Sequence, residues 1–213
     1  MSANTTRIYV FKGFERFWHW AQAGLIIFLL LTGFEVHGTW KFFGFAQAVR
    51  LHVIAAWSLV ALWIFAIFWH FTTGEWRQYI PTLKKVDAMI QYYSKGIFVG
   101  APDPFRVTAQ KKHNPLHRLT YLAILTLVMP VIWVSGWFYL FYGSWRAWGV
   151  EPYLSLEWVA FFHTAGAFVI FAFLVSHLYL VTSGHTLTSQ LKAMITGWDE
   201  VPAEPEAANT PQK

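Results

Sequence analysis

The chain has 213 residues, 56% hydrophobic and only 13% charged, with 13 Trp, 20 Phe and a mean hydropathy of +0.39. So few charges among so many aromatic residues exclude an ordinary soluble domain. The absence of cysteine excludes disulfides, thiolate-held metals, iron–sulfur clusters within the chain and covalent c-type haem.

Crossing about 30 Å of hydrocarbon takes about 20 predominantly apolar residues, and four stretches qualify. The first span is expected over residues 17–36. No short apolar run with a small-residue cleavage site precedes it, so no signal peptide is expected. The second span is expected over 49–71. The connection 72–118 predicts a short amphipathic helix, with Tyr79, Leu83, Val86, Ile90 and Tyr93 at helical spacing. "GAPDPF" then breaks the chain, and "KKHNPLHR" leads into a third span over 119–141. Pro130 predicts a kink there, with Gly136 adding local freedom. After an extended connection, "YGSWRAWGVEPYLSLEW", the fourth span is expected over 158–181. Residues 1–200 read as one all-α domain, a four-transmembrane-helix bundle with Trp and Tyr at the headgroup levels. The Pro- and Glu-rich tail "DEVPAEPEAANTPQK" predicts disorder over 201–213.

Basic residues orient the bundle. Arg7, Lys12 and Arg16 precede span one, and Arg77, Lys84, Lys85, Lys95, Arg106, Lys111, Lys112 and Arg118 lie in the 72–118 connection. The other two connections carry Lys41 with Arg50, and Arg146. Both termini and the 72–118 connection are therefore expected on the cytoplasmic side. The net charge of +5 reflects this asymmetry. There is no basic stripe of the kind that tracks phosphates, so the expected partner is a lipid bilayer and not a nucleic acid.

Nine histidines occur, and depth sorts them. His19 falls near the inner face, His52 and His163 near the outer face. His177 lies about 21 Å deeper than His163, rotated from it by only about 40°. Two helices thus offer a histidine at each of two depths, the arrangement that stacks two haems across a bundle, with neutral imidazole as axial ligand. Ionisable groups inside a membrane are costly and tend to be functional. Hydrogen-bonded core histidines are the competing reading. Small neighbours (Ala21, Gly24, Ala55, Ala56, Ala165, Gly166, Ala167) suit a flat macrocycle, and they also suit helix packing. His70 shares a face with His52 and is an alternative to His19 as inner ligand. His37, His113 and His117 read as interfacial, and His185, in "TSGHT", as a proton relay or a surface residue.

These segments resemble a known family: the di-haem cytochrome b membrane subunits of formate dehydrogenase (the gamma subunit) and thiosulfate reductase, more distantly related to nickel–iron hydrogenase cytochrome b subunits. The resemblance runs from residue 13 to about 200 through "ERFWHW", "RLHVIAAW", "HNPLHRLTY", "FFHTAGAFVIFAFLVSHLYL" and "TSGHTLTSQLKAMITGW". It implies His52 and His163 as ligands of an outer haem b, His19 and His177 as ligands of an inner haem b, and Asn114 near a quinone (menaquinone or ubiquinone), with His185 on the proton path. Arg16, Arg50 and Arg118 are candidate propionate partners.

The implied protein lies in the bacterial cytoplasmic membrane and carries electrons between an outer-face partner and the quinone pool. That partner would be an iron–sulfur or molybdenum-enzyme subunit, or a multihaem cytochrome c. Two other readings stay open: a free-standing di-haem cytochrome b acting on a small molecule, and a haem-free transporter or scaffold.

Overall fold

The computed structural model describes residues 5–108, 111–184 and 186–202. Strand β1 (Thr5–Tyr9) pairs antiparallel with β2 (Trp198–Pro202), so the two end segments meet on one face of the bundle. Tyr9 packs on Trp198 with ring centroids 5.2 Å apart, and the Arg7 guanidinium lies over the Trp198 ring. This pairing draws Val201 and Pro202 out of the tail expected to lack structure, because their backbone groups find partners in Thr5 and Thr6. The rest of that tail, 203–213, lies outside the described residues.

Helix α1 (Gly13–Val36) starts where the Glu15 carboxylate accepts the Lys12 backbone N–H at 2.7 Å, an acidic group at the positive helix end. Its apolar run carries it across. At the far end buried Glu35 holds the next turn: its Oε1 accepts the backbone N–H groups of Phe42, Phe43 and Gly44 at 2.8, 2.7 and 2.7 Å. Gly44, at φ 81°, turns the chain into α2 (Phe45–Thr73). That helix begins four residues before the expected span, because Glu35 and Gly44 already organise its first turn. Gly74, at φ 76°, ends it in the left-handed conformation that only glycine adopts without strain.

The connection to span three is shorter in helix than its periodicity suggests. Pro81 interrupts the pattern: Tyr79 closes a single 3-10 turn (Glu75–Tyr79), and α3 occupies only Val86–Ser94. Span three is built of α4 (Pro115–Ala123), a π-helical turn (Ile124–Val128) and α5 (Met129–Leu140). The wide turn sits immediately before Pro130, whose missing N–H cannot close the normal ladder, so the expected irregularity takes this form. After α6 (Leu156–Val181), helix α7 (Ser189–Thr196) docks on α1: Arg16 donates to the Ile195 carbonyl at 2.5 Å and Trp20 Nε1 to the Met194 carbonyl at 3.2 Å.

Helices α1, α2 and α6 and the span formed by α4 and α5 are long and apolar enough to cross a membrane. At most 17% of the most apolar stretch of any of them is buried inside the protein, so their outward faces are made for lipid. Among helix pairs, α1 packs on α2 and α5 on α6, forming two hairpins. Rings join the hairpins: Phe34 meets Phe168 at 5.2 Å, and Trp63 stacks on Trp133 at 5.4 Å. Gly166 lets α6 approach span three, since a Cβ there would lie 2.5 Å from the Ile132 side chain. Its smallness is therefore explained by helix packing.

A buried ion network ties the 72–118 connection to the start of α1. Lys112 Nζ contacts both Glu15 carboxylate oxygens at 2.8 Å and Glu75 Oε2 at 3.0 Å, while Lys12 pairs with Glu75 Oε1 at 2.6 Å. Both Lys112 and Glu15 are almost wholly buried.

Candidate functional site

The four histidines predicted at two depths come together as two facing pairs. His52 of α2 and His163 of α6 have ring centroids 6.2 Å apart. His19 of α1 and His177 of α6 have theirs 6.1 Å apart. Helix α6 is thus the wall common to both pairs, and the fourteen-residue interval along it separates them by about 21 Å.

The spacing has a chemical reading. Metal–imidazole bonds run about 2.0–2.1 Å and a ring nitrogen lies about 1.1 Å from its centroid, so two imidazoles on opposite sides of one metal place their centroids about 6.3 Å apart. Both pairs match that distance. Among the described residues no group of three or more His, Cys, Asp or Glu is placed to hold a bare ion. Two facing imidazoles at this spacing would instead suit a metal carried by a macrocycle.

The outer pair carries a further layer. Thr32 of α1, fully buried, donates its hydroxyl hydrogen to its own helix at Phe28 O, 2.8 Å away. His52 Nδ1, 3.0 Å from the same hydroxyl, must then be the donor. Ser135 of α5 repeats this. Its hydroxyl donates to Val131 O, and His163 Nδ1 lies 3.1 Å from both the hydroxyl and Ile132 O. Each outer ring therefore carries its hydrogen on Nδ1 and presents the Nε2 lone pair as a ligand. The next residue is in both cases a glycine: a Cβ on Gly33 would stand 3.2 Å from His52 Cε1, and one on Gly136 3.3 Å from His163 Cε1. The expected role of Gly136 as a source of chain freedom is replaced by this close approach of a ring. A half-open cleft of about 60 Å³ at this level is lined by Gly33, Phe34 and His37 of α1, His52, and Thr164 and Ala167 of α6, among others.

The inner rings are framed by aromatic groups: His177 stacks on Phe173 at 5.8 Å, and His19 meets Trp20 edge-on at 5.3 Å. His70, the alternative inner ligand, is buried, and its Nε2 has no hydrogen-bond partner among the described residues. Its Nδ1 donates to Ala66 O at 2.7 Å, and its ring lies against Trp18, Trp69 and Tyr79. His113 and His117, read as interfacial, belong to a packed ring cluster at the start of span three. Tyr79 meets His113 at 5.1 Å, His113 meets Tyr121 at 5.4 Å, and His117 stacks between Tyr121 and Tyr93. Burial, then the nearby His117, Lys112, Arg118 and His70, hold His113 down to about 3. Burial, with Asp103 next, pushes Tyr93 up to about 12.

Asn114 caps α4. Its Oδ1 accepts the His117 N–H at 2.8 Å, and its Nδ2 donates to the Tyr93 hydroxyl at 2.9 Å. Arg16 and Arg118 are turned to backbone carbonyls, Arg118 to His113 O at 3.0 Å and Ile80 O at 3.3 Å. Arg50 is exposed. His185 lies outside the described residues. Sequence reasoning missed Thr32, Gly33 and Ser135. The available signal was a hydroxyl residue followed by glycine inside an apolar span, occurring in both spans that precede a histidine helix.

A family model described as "Prokaryotic cytochrome b561" matches residues 10–197. The chain is 28% identical over 200 residues to the "Putative cytochrome YdhU" of Escherichia coli (strain K12), covering 90% of this chain and 74% of that protein. It is 25% identical over 219 residues to the "Probable Ni/Fe-hydrogenase B-type cytochrome subunit" of Rhodobacter capsulatus, covering 90% and 81%. The protein of the same description in Rhizobium leguminosarum bv. viciae is 25% identical over 218 residues, covering 89% and 87%. No solved structure matches the chain.

Proposed function

The chain belongs to the prokaryotic cytochrome b561 family, and from that premise we propose that it is the membrane-anchoring, di-haem electron-transfer subunit of a respiratory oxidoreductase. Membership makes it a bacterial membrane cytochrome using haem b, and it sets aside the haem-free transporter. Neither the family match nor these three relatives carries a formate dehydrogenase or thiosulfate reductase name. Two of the relatives are described as subunits, which favours a partnered role over a free-standing one.

The carrying observation is the pair of histidine spacings, 6.2 and 6.1 Å, each that of two imidazoles across one metal. When bound, haem b supplies a one-electron couple at each level. His52 and His163 would hold the outer group, His19 and His177 the inner one. With two imidazoles at each level, a haem held there would serve electron transfer and not oxygen binding. Thr32 and Ser135 orient the outer rings. Arg50, which is exposed, and Arg16, whose Nε is buried without a partner, are candidates for a propionate, as is Arg118 through its remaining guanidinium nitrogen.

The outer level would exchange electrons with a catalytic or electron-transfer subunit: a hydrogenase-type, iron–sulfur or molybdenum-enzyme subunit, or a multihaem cytochrome c. The inner level would serve a quinone, menaquinone or ubiquinone, which takes up two protons with its two electrons. Asn114 keeps a second Nδ2 hydrogen beyond the one given to Tyr93, and with His177 and His185 it stands for the quinone side of the exchange. The basic residues of the 72–118 connection support a cytoplasmic position for this face and both end segments. In membranes containing the chain, a quinol or a quinone is expected to change the redox state of the b-type absorbance. Absorbance that dithionite reduces but neither quinol nor quinone alters would overturn the link to quinone.

A further inference from the structure

We infer that Thr32 and Ser135 are positioning residues that set the electronic character of the outer centre alone, lowering its potential by accepting hydrogen bonds from the Nδ1–H groups of His52 and His163. The inference rests on the haem reading above, and its argument is made from this chain's own hydroxyls.

The two halves of the molecule build the outer level by one rule. In each hairpin the first helix offers a hydroxyl followed by glycine, Thr32–Gly33 in α1 and Ser135–Gly136 in α5. The second helix offers the histidine that lies against that step. Each hydroxyl has already given its hydrogen to a carbonyl of its own helix, four residues back. It is left with lone pairs only, so the ring must donate. A ring that gives up its Nδ1 hydrogen to a good acceptor becomes a more basic ligand at Nε2, and a more basic ligand favours the ferric over the ferrous state.

Among the described residues no such acceptor is found at His19 or His177, whose ring neighbours include Trp20 and Phe173. The polarisation is therefore a property of one level and not of the bundle. Each of the two outer histidines also has a backbone carbonyl beside it. His163 has a second acceptor in Ile132 O at 3.1 Å. Beside His52 the Leu29 carbonyl holds the matching position, and the ring lies 3.0 Å from the Thr32 hydroxyl.

The test is an optical redox titration of the purified full chain. It compares the natural sequence with Thr32→Val, Thr32→Ser and Ser135→Ala, and takes the outer centre as the one that His163→Ala removes. Removing a partner of a metal-ligating histidine changes affinity about 10–100-fold. A tenfold loss of the ferric preference raises a one-electron potential by about 59 mV. Thr32→Val and Ser135→Ala are each expected to raise the outer centre by up to about that step, and Thr32→Ser to restore the natural value. The inner centre, unchanged throughout, reports that the fold is intact.

Loss of the outer centre in Thr32→Val with recovery in Thr32→Ser also supports the inference. Loss that serine does not restore overturns it, as does full haem content with both potentials unmoved in Thr32→Val. In these outcomes the haem reading stands. A natural chain that binds no haem removes that reading itself.

Discussion

His52 and His163 stand on α2 and α6 with ring centroids 6.2 Å apart, and each lies against a glycine of a helix other than its own. The rings are thus seated from behind as well as facing each other. A methyl group added behind either one has nowhere to go unless the imidazole shifts.

Gly33→Ala and Gly136→Ala are therefore expected to displace His52 and His163 by a few tenths of an ångström or to strain the helix contact, at a cost of about 1–3 kcal/mol. The result is weakened haem retention at the outer level with the inner level unchanged. Gly24→Ala, where a Cβ meets nothing within 4 Å, is the silent control. Haem content per chain after detergent purification checks all three.

The spans and the depth ordering of the four histidines were legible in the sequence because hydropathy and the 3.6-residue period act locally. What was not legible depends on contacts between distant segments. Lys112 and Glu15 meet across 97 positions, and a lysine in a basic connection looks like an anchor until its carboxylate is found. Thr32 and Ser135 look like ordinary hydroxyls bonded to their own helix; only the neighbouring ring gives them a second role. The tail's first residues form strand because a matching segment at the other end lies beside them. Pro130 announced a distortion without saying that it would be a π-turn one step earlier.

Lys112→Met removes the cation from a carboxylate that is only 5% exposed. Breaking one side of a buried pair costs about 3–5 kcal/mol, more than replacing both partners. A marked drop in the thermal midpoint is expected, with partial recovery in the double variant Lys112→Met/Glu15→Gln.

The same face sets the pH dependence. Burial raises Glu75, but the hydrogen bonds from Lys12 and Lys112 outweigh it and hold its carboxyl below the ordinary 4.5. Lys12, hydrogen-bonded to Glu75, is raised above 10.5. The carboxylate's contribution is thus present above 4.5 and lost as pH falls through its folded value, while the lysine's is present below 10.5 and lost above its own. His113, held neutral by burial, acts first on the acid side: its contribution is complete above 6.5 and lost progressively towards 3. A thermal midpoint followed against pH is expected to begin falling below about 6.5. In His113→Phe the decline is expected to be shallower, since one buried neutral imidazole no longer contributes to it. Coincident profiles would contradict this assignment.

Glu35→Leu deprives the backbone N–H groups of Phe42, Phe43 and Gly44 of their shared acceptor. With about 1–3 kcal/mol at stake for a buried donor left unpaired, the outer turn and the first turn of α2 are expected to loosen. Faster amide hydrogen exchange at those three positions, with exchange in the middle of α2 unchanged, is the readout.

The most direct measurement is the haem b count per purified chain, taken with the reduced-minus-oxidised spectrum, for the natural sequence and for single alanine variants at His19, His52, His163 and His177. Two haems in the natural chain and one in each variant are expected, with His52→Ala and His163→Ala losing the same spectral component and His19→Ala and His177→Ala losing the other. A single haem in the natural chain, or variants that lose components in any other pairing, would contradict the two-level arrangement.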